Sequence, residues 1–236
     1  MARKIVVANL KGGVGKTNVC VNLCMFLSAL GKRVLLVDLS PQGDATFSLG
    51  IKKSPHDVGD VLLQRLRPGA VIKSTPYFGY DIMPCFSDTS QELINHRKPE
   101  LRLKMALEGL EEDYDFIIID TSPGLDIFCL NALEAADELI VPVQAEYLAL
   151  RSVKKLLNRK TFKKFNILIT MYGWRSRVSR NIVKRARKEF SGHVLNTIIP
   201  RAAILAQESI EPILKTAPNS RAARAYKQLA EEVTEQ

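Results

Sequence analysis

No apolar run in this sequence approaches the roughly 20 residues that a membrane-spanning helix needs. The longest stretches, such as Phe116–Ile119 and Leu139–Val143, are strand length. The N-terminus, Met1-Ala2-Arg3-Lys4 followed by a short apolar run, lacks a signal-peptide hydrophobic region, and a cytoplasmic protein is expected. Four cysteines in 236 residues, none in a paired spacing, exclude a disulfide framework and suit a reducing compartment. Cys20 and Cys24 stand one helical turn apart and read as small buried hydrophobes before metal ligands. No repeat, low-complexity tract or linker divides the chain, so residues 1–236 read as one domain, and 46% hydrophobic residues suffice for its core. The last shortage is local. Residues 151–188 hold fourteen Lys or Arg and no Asp or Glu, while the whole chain carries +9. The remainder is therefore net acidic. A block of one sign is the usual electrostatic footprint of a nucleic-acid partner.

Glycine is concentrated where it carries chemistry. Residues 9–18 read NLKGGVGKTN, between the apolar run Ile5–Ala8 and a helix-period stretch from Val19 to Leu30. Strand, Gly-rich loop and helix make the setting in which a GK[ST] loop cradles phosphate. Gly12, Gly13 and Gly15 let backbone N–H groups approach an anion, and the helix N-terminus adds oriented donors. Lys16 supplies a cation for the β- and γ-phosphates of a nucleotide, and Thr17 a hydroxyl for Mg²⁺. Val14 and Asn18 complete the cradle. Leu10 stands where the usual GxxxxGKT loop begins with glycine, and a second lysine, Lys11, follows it. The alternative is a Gly-rich turn before an ordinary helix, which the flanking elements disfavour.

Strand signals alternate with helical segments, which predicts a doubly wound, mostly parallel sheet flanked by helices. Candidate strands are Lys4–Ala8, Arg33–Asp38, Phe116–Asp120, Glu138–Val143, Asn166–Thr170 and Val194–Ile199, with a weaker one at Asp81–Cys85. VLLVD and FIIID are the continuous apolar runs of buried parallel strands. Candidate helices are Thr17–Leu30, Gly59–Leu66, Ser90–Glu112, Asp126–Ala136, Arg151–Lys160, Val178–Phe190 and Arg221–Thr234. Ligands of such sheets bind at the carboxyl ends of strands. Asp38 and Asp120 end VLLVD and FIIID, where a carboxylate can hold Mg²⁺ or its water near the phosphates. A strand-ending Asp that only caps the next turn is the alternative for each.

Together these segments resemble the ParA/MinD family of deviant Walker-type P-loop ATPases. KGGVGKT at 11–17 looks like the deviant Walker A loop, with Lys11 as the signature lysine, and LLVDLSPQGDAT at 35–46 is similar to the first switch. Residues 115–157 resemble the Walker B strand, the second switch and the strand after them. TMY at 170–172 and IIPRAAILAQES at 198–209 resemble the segments near the adenine, which brings in Met171, Pro200 and Arg201. Residues 220–233 look like the closing helix. The match is nearer to partition ATPases without a helix-turn-helix extension than to MinD.

The resemblance implies an ATPase with ATP/ADP and Mg²⁺, and an ATP-sandwich homodimer in which Lys11 reaches the partner's nucleotide. It also implies non-specific binding of double-stranded DNA, hydrolysis stimulated by a ParB-like centromere-binding or adaptor protein, and a place on the nucleoid. Lys11, Lys16, Asp38, Ser40 and Asp120 fall at its catalytic positions. Two departures stand out. The first switch usually reads DLDPQG, and its second acid, associated with positioning the attacking water, is Ser40 here. A hydroxyl can hydrogen-bond water but is no carboxylate; Asp44, four residues on, is the nearest acid available to compensate. The second departure is PRAAI at 200–204, where partition ATPases often carry PRNVR and its last arginine is linked to DNA.

The sequence offers a replacement. On a helix over 178–190, Arg180, Lys184, Arg187 and Lys188 share one face with Arg177 at its start, and Ile182, Ala186 and Phe190 lie opposite. Arg175 precedes them at a position that contacts DNA in the family. Ordinary solvated surfaces mix signs, which favours a DNA ridge here. Phosphate contacts carry no base information, so sequence-independent binding is expected. Trp174 is either a core residue or a stacking contact. A MinD-like membrane role would want a basic amphipathic C-terminal helix, and LAEEVTEQ is acidic; no membrane partner is expected. A metabolic or cluster-handling role would want paired cysteines. A protein cargo moved over the nucleoid remains open beside DNA.

Overall fold

A computed structural model describes residues 1–76, 79–146, 150–206 and 212–236. Parts of two segments quoted above, residues 147–149 and 207–209, lie outside the described residues. In chain order the elements are β1 (Arg3–Val7), α1 (Lys16–Ala29), β2 (Val34–Leu39), α2 (Asp44–Ser48), α3 (Val58–Leu62), β3 (Lys73–Ser74), β4 (Tyr80–Met83), α4 (Ser90–Ile94), α5 (Arg102–Leu107) and β5 (Phe116–Thr121). They continue with α6 (Ile127–Ala135), β6 (Glu138–Gln144), α7 (Arg151–Leu157), β7 (Lys164–Tyr172), α8 (Arg177–Glu189), β8 (Val194–Pro200), α9 (Ile213–Thr216) and α10 (Arg221–Glu235).

The strands form one sheet in the order β3-β4-β2-β5-β1-β6-β7-β8. Every pairing is parallel except the short edge pair of β3 with β4. This is the predicted α/β architecture, and its cause is visible in β1. Val6 and Ala8 join the core under α3, α5, α6, α7 and α8; Ile5 and Val7 join the core under α1, α9 and α10. A strand covered on both faces is apolar along its buried run, as Ile5–Val7 is in β1 and Phe116–Ile119 in β5. Each fully buried Leu or Ile contributes roughly 1.5–3 kcal/mol against solvent exposure, so the central strands anchor the fold. Cys20 and Cys24 lie fully buried in the second core, as small hydrophobes do.

One helix is corrected. The periodicity predicts a single helix over Ser90–Glu112, but the chain breaks into α4, two single 3₁₀ turns and α5. Pro99 cannot donate to a helical turn, and Lys98 before it takes φ 52°, in the left-handed region. Further differences are of extent. α3 stops at Leu62, with Gln64 at φ 59° just beyond. α7 stops at Leu157, and β7 runs from Lys164 to Tyr172 rather than over Asn166–Thr170. The short elements α2, β3 and α9 left no periodic signal.

Candidate functional site

The Gly-rich loop lies at the carboxyl edge of the sheet, between β1 and α1, and is tied down by three polar side chains. Asn9 Nδ2 donates to the Pro142 carbonyl at 2.6 Å, and Asn9 Oδ1 accepts the Lys11 N–H at 3.0 Å. The Thr170 hydroxyl, from β7, donates to the Val14 carbonyl at 2.9 Å. The third, Thr121, donates from the end of β5 to the Val7 carbonyl at 3.0 Å. Gly13 and Gly15 have φ of 70° and 90°, which side-chain-bearing residues adopt at a cost, and the space a Cβ would enter at either is open. α1 begins at Gly15 with no side-chain cap and no acid in its first turn. Its N-terminal N–H groups are left for an anion.

Lys16 is 6% exposed, and among the described residues its ammonium donates only to the Lys11 carbonyl, at 3.4 Å. Burial pushes its pKa down, and the charges of Asp120 and Asp44 oppose that shift. A buried cation with no carboxylate partner among the described residues suits a phosphate. Lys11 behaves differently. Its half-exposed side chain reaches Glu146 at 2.9 Å and Gln144 at 3.1 Å, away from its own loop.

Asp38 and Asp120 stand opposite each other in the β2–β5 register, Asp120 one strand from the loop and Asp38 two, and both are fully buried. Asp120 Oδ1 accepts the Thr121 N–H at 3.0 Å and lies 3.5 Å from the Cys20 thiol, whereas Oδ2 has no hydrogen-bond partner among the described residues. Burial pushes its pKa up and Asp38 adds repulsion, while Thr17, Cys20 and Lys16 favour its charged form. An orphaned buried carboxylate oxygen beside a threonine hydroxyl is the donor set of a hard divalent cation, so the site fits Mg²⁺. Asp38 is already engaged: Oδ1 accepts Ser40 N–H at 2.9 Å, and Oδ2 accepts Thr46 N–H at 2.9 Å and the Thr46 hydroxyl at 2.7 Å. Its carboxylate clamps the loop after β2. Ser40, also buried, donates its hydroxyl to Asp44 Oδ2 at 3.2 Å.

Beside the loop, Val14, Gly15, Asn18, Met171, Pro200 and Arg201 line one cavity of about 130 Å³. Arg201 N–H bonds the Tyr172 carbonyl at 3.0 Å, and Asn18 Nδ2 reaches the Leu205 carbonyl at 3.2 Å. Met171 holds φ 51° there. The structure thus gathers Lys11 through Asn18, Asp38, Ser40, Asp120, Met171, Pro200 and Arg201 at one edge. Thr46, Thr170 and Tyr226 fall in segments quoted above but had no role of their own there, because spacing does not mark them; Thr170 and Tyr226 line the same cavity.

The cationic ridge lies elsewhere, on α8. Ser179, Ile182, Val183 and Ala186 are buried, and Ser176 caps the helix by accepting the Ser179 N–H. Arg175, Arg177, Arg180, Lys184, Arg187 and Lys188 are exposed, and none makes an ion pair among the described residues. Arg180 bonds the Trp174 carbonyl at 3.2 Å. Trp174 itself is 59% exposed, edge-on to Tyr172, so the core reading fails for it.

A Gly-rich phosphate-type loop at the carboxyl edge of a parallel sheet, with a buried carboxylate that fits a divalent cation on the neighbouring strand, is the architecture of a P-loop nucleotide hydrolase. Residues 2–170 match the AAA domain family. The chain is 39% identical over 249 aligned positions to the sporulation initiation inhibitor protein Soj of Bacillus subtilis, covering 99% of this chain and 98% of that protein. It is 38% identical to the chromosome-partitioning ATPase Soj of Thermus thermophilus, covering 98% and 95%. A solved structure titled cobyrinic acid a,c-diamide synthase from Mycobacterium smegmatis, with bound ADP and magnesium, superposes with a TM-score of 0.84 at 34% identity, covering 99% and 94%. The chain belongs to the ParA/MinD family of deviant Walker P-loop ATPases. It is an ATPase, and its cofactors are ATP or ADP with Mg²⁺.

Proposed function

We propose that the protein is a DNA-partition ATPase whose ATP-bound sandwich dimer holds DNA without regard to sequence and lets go when a ParB-like partner stimulates hydrolysis. The observation that carries the reading is the ridge of α8 and the turn before it: six exposed cations without an ion pair among the described residues, in a stretch of 38 residues without an acid. The names of the Soj relatives point the same way. In this reading Gly12–Asn18 cradle the phosphates, Thr17 and Asp120 hold Mg²⁺, and Asp38 sets the first switch. Met171, Pro200 and Arg201 flank the base, and Lys11 serves the partner's nucleotide. The same ridge would place the protein on the nucleoid.

A dimer presents the ridge twice, so association turns a weak patch into a bivalent one and lets ATP gate DNA binding at a distance. Each phosphate contact on duplex DNA contributes about −0.9 to the log–log salt slope. Fluorescence anisotropy on random-sequence duplexes, at two salt concentrations with ATP and with ADP, tests this. Binding is expected to be tighter with ATP and steeply salt-dependent. Arg180→Glu with Lys184→Glu should abolish it and spare ATP binding, because α8 is separate from the P-loop. Parental DNA affinity in that double variant would move the DNA surface off α8. No salt-sensitive binding by the parent would sink the partition reading and leave the ATPase.

A further inference from the structure

We propose that Asp44 is the residue that orients the attacking water in ATP hydrolysis, with Ser40 as a positioning residue that holds its carboxylate. The inference rests on the ATPase assignment and goes beyond it.

A water that attacks a phosphate needs an acceptor it can reach. Besides Glu146, which pairs with Lys11, and Asp126, which caps α6 and accepts the Ser122 hydroxyl, three carboxylates among the described residues stand by the P-loop. Asp120 is fully buried at the end of β5, and its Oδ2, without a partner among the described residues, is the oxygen left for a cation. Asp38 is fully buried, and both its oxygens are taken by Ser40 and Thr46. Asp44 alone of the three is exposed. Its Oδ2 takes the Ser40 hydroxyl at 3.2 Å, and Oδ1 has no partner among the described residues. Its charge favours the protonated Lys16, so the carboxylate lies within electrostatic reach of the phosphate-binding ammonium.

The loop that carries Asp44 is built to hold it still. The Gly43 N–H closes a turn onto the Ser40 carbonyl at 2.8 Å. Gly43 has φ 64°, and a Cβ there would stand 2.6 Å from the Cys85 carbonyl oxygen, so this turn packs directly on backbone. The Asp38 clamp fixes both sides of the turn through Ser40 and Thr46, and the Thr46 hydroxyl also accepts the Cys85 N–H at 3.0 Å. An exposed acid on a loop pinned this way is pre-organised, which is what a water-orienting group requires.

In the reaction the water oxygen bonds the γ-phosphorus as the bond from that phosphorus to the β–γ bridging oxygen breaks. ADP leaves with the bonding pair. Asp44 Oδ1 accepts a hydrogen bond from the water and aims its lone pair, and the displaced proton ends on inorganic phosphate or solvent.

The test is steady-state phosphate release by the full chain, with calorimetry of a non-hydrolysable ATP analogue as the binding control. Asp44→Asn keeps an acceptor for the Ser40 hydroxyl, so a merely structural role survives it. The variant should lose about 10²-fold in kcat, with KM and analogue affinity within about twofold of the parent's. Asp44→Glu should retain more activity than Asp44→Asn, and Ser40→Ala should lose only a few-fold. Parental kcat in Asp44→Asn would overturn the proposal, and so would equal losses in the Asn and Glu variants with weakened analogue binding. A parent that binds the analogue but hydrolyses no ATP would overturn both the proposal and the ATPase assignment beneath it.

Discussion

Lys16 is a cation that the fold buries without a carboxylate partner among the described residues, an imbalance that a nucleotide phosphate would correct. Removing the ammonium leaves the phosphates without their nearest charge-assisted donor, worth up to about 3 kcal/mol. Lys16→Ala should therefore weaken ATP binding by about 100-fold in calorimetry, and parental affinity would contradict the cradle. Asp120 is the opposite case, a buried acid with an idle oxygen. Its raised pKa has a definite sign for stability. The unfolded chain ionises this group from about pH 4 upward, the folded chain only at higher pH, so the parent loses stability across that window and no further above it. Asp120→Asn carries no such cost. In buffer free of metal and nucleotide its thermal midpoint should exceed the parent's by about 5 °C near neutral pH, the gap closing toward pH 4. Mg²⁺-dependent hydrolysis should fall with the same change. A gap that stays constant with pH would mean that Asp120 is not held above its ordinary range.

At the scale of elements, the turn between β2 and α2 decides the geometry of the site. α2 is only five residues long and leaves no hydrophobic signature, yet it delivers Asp44 and Thr46. Its start depends on Gly43. Gly43→Ala adds left-handed strain and a clash with the Cys85 carbonyl, about 2 kcal/mol together. Denaturant unfolding should show that loss, and hydrolysis should slow because Asp44 shifts. Unchanged stability would mean that the turn relaxes freely. α8 is the contrasting element. Its apolar face packs on the sheet and its exposed face is dominated by cations, so its periodicity could be read directly from sequence.

For the whole molecule the open matter is association. Lys11 spends its charge on Glu146 in an exposed pair. Such a pair contributes only about 0–1 kcal/mol, so exchange for a partner's phosphate costs little. Sedimentation with a non-hydrolysable ATP analogue should show a dimer in the parent. Lys11→Ala should weaken that dimer while leaving ADP binding to the monomer intact. A persistent monomer in the parent, at nucleotide concentrations well above saturation, would count against the sandwich.

The sequence by itself determined the parallel α/β fold, the phosphate loop and the cationic helix face. Each rests on local order: apolar runs for strands buried on both faces, glycines for positive φ, and a 3.6-residue period for α8. It did not determine the break at Lys98-Pro99, where one proline overrides a helical pattern. Nor did it show that Asp38 turns inward to clamp Ser40 and Thr46, or that Thr170 pins a loop 156 residues away. Whether Asp44 could meet Ser40 was likewise undecided, since spacing alone does not orient a side chain in a turn. Those contacts are chosen by the packing of β2 against β4 and β5, which fixes where a short loop can run. Only the tertiary structure decided which acid is sealed beside the Thr17 hydroxyl and which stays open to water.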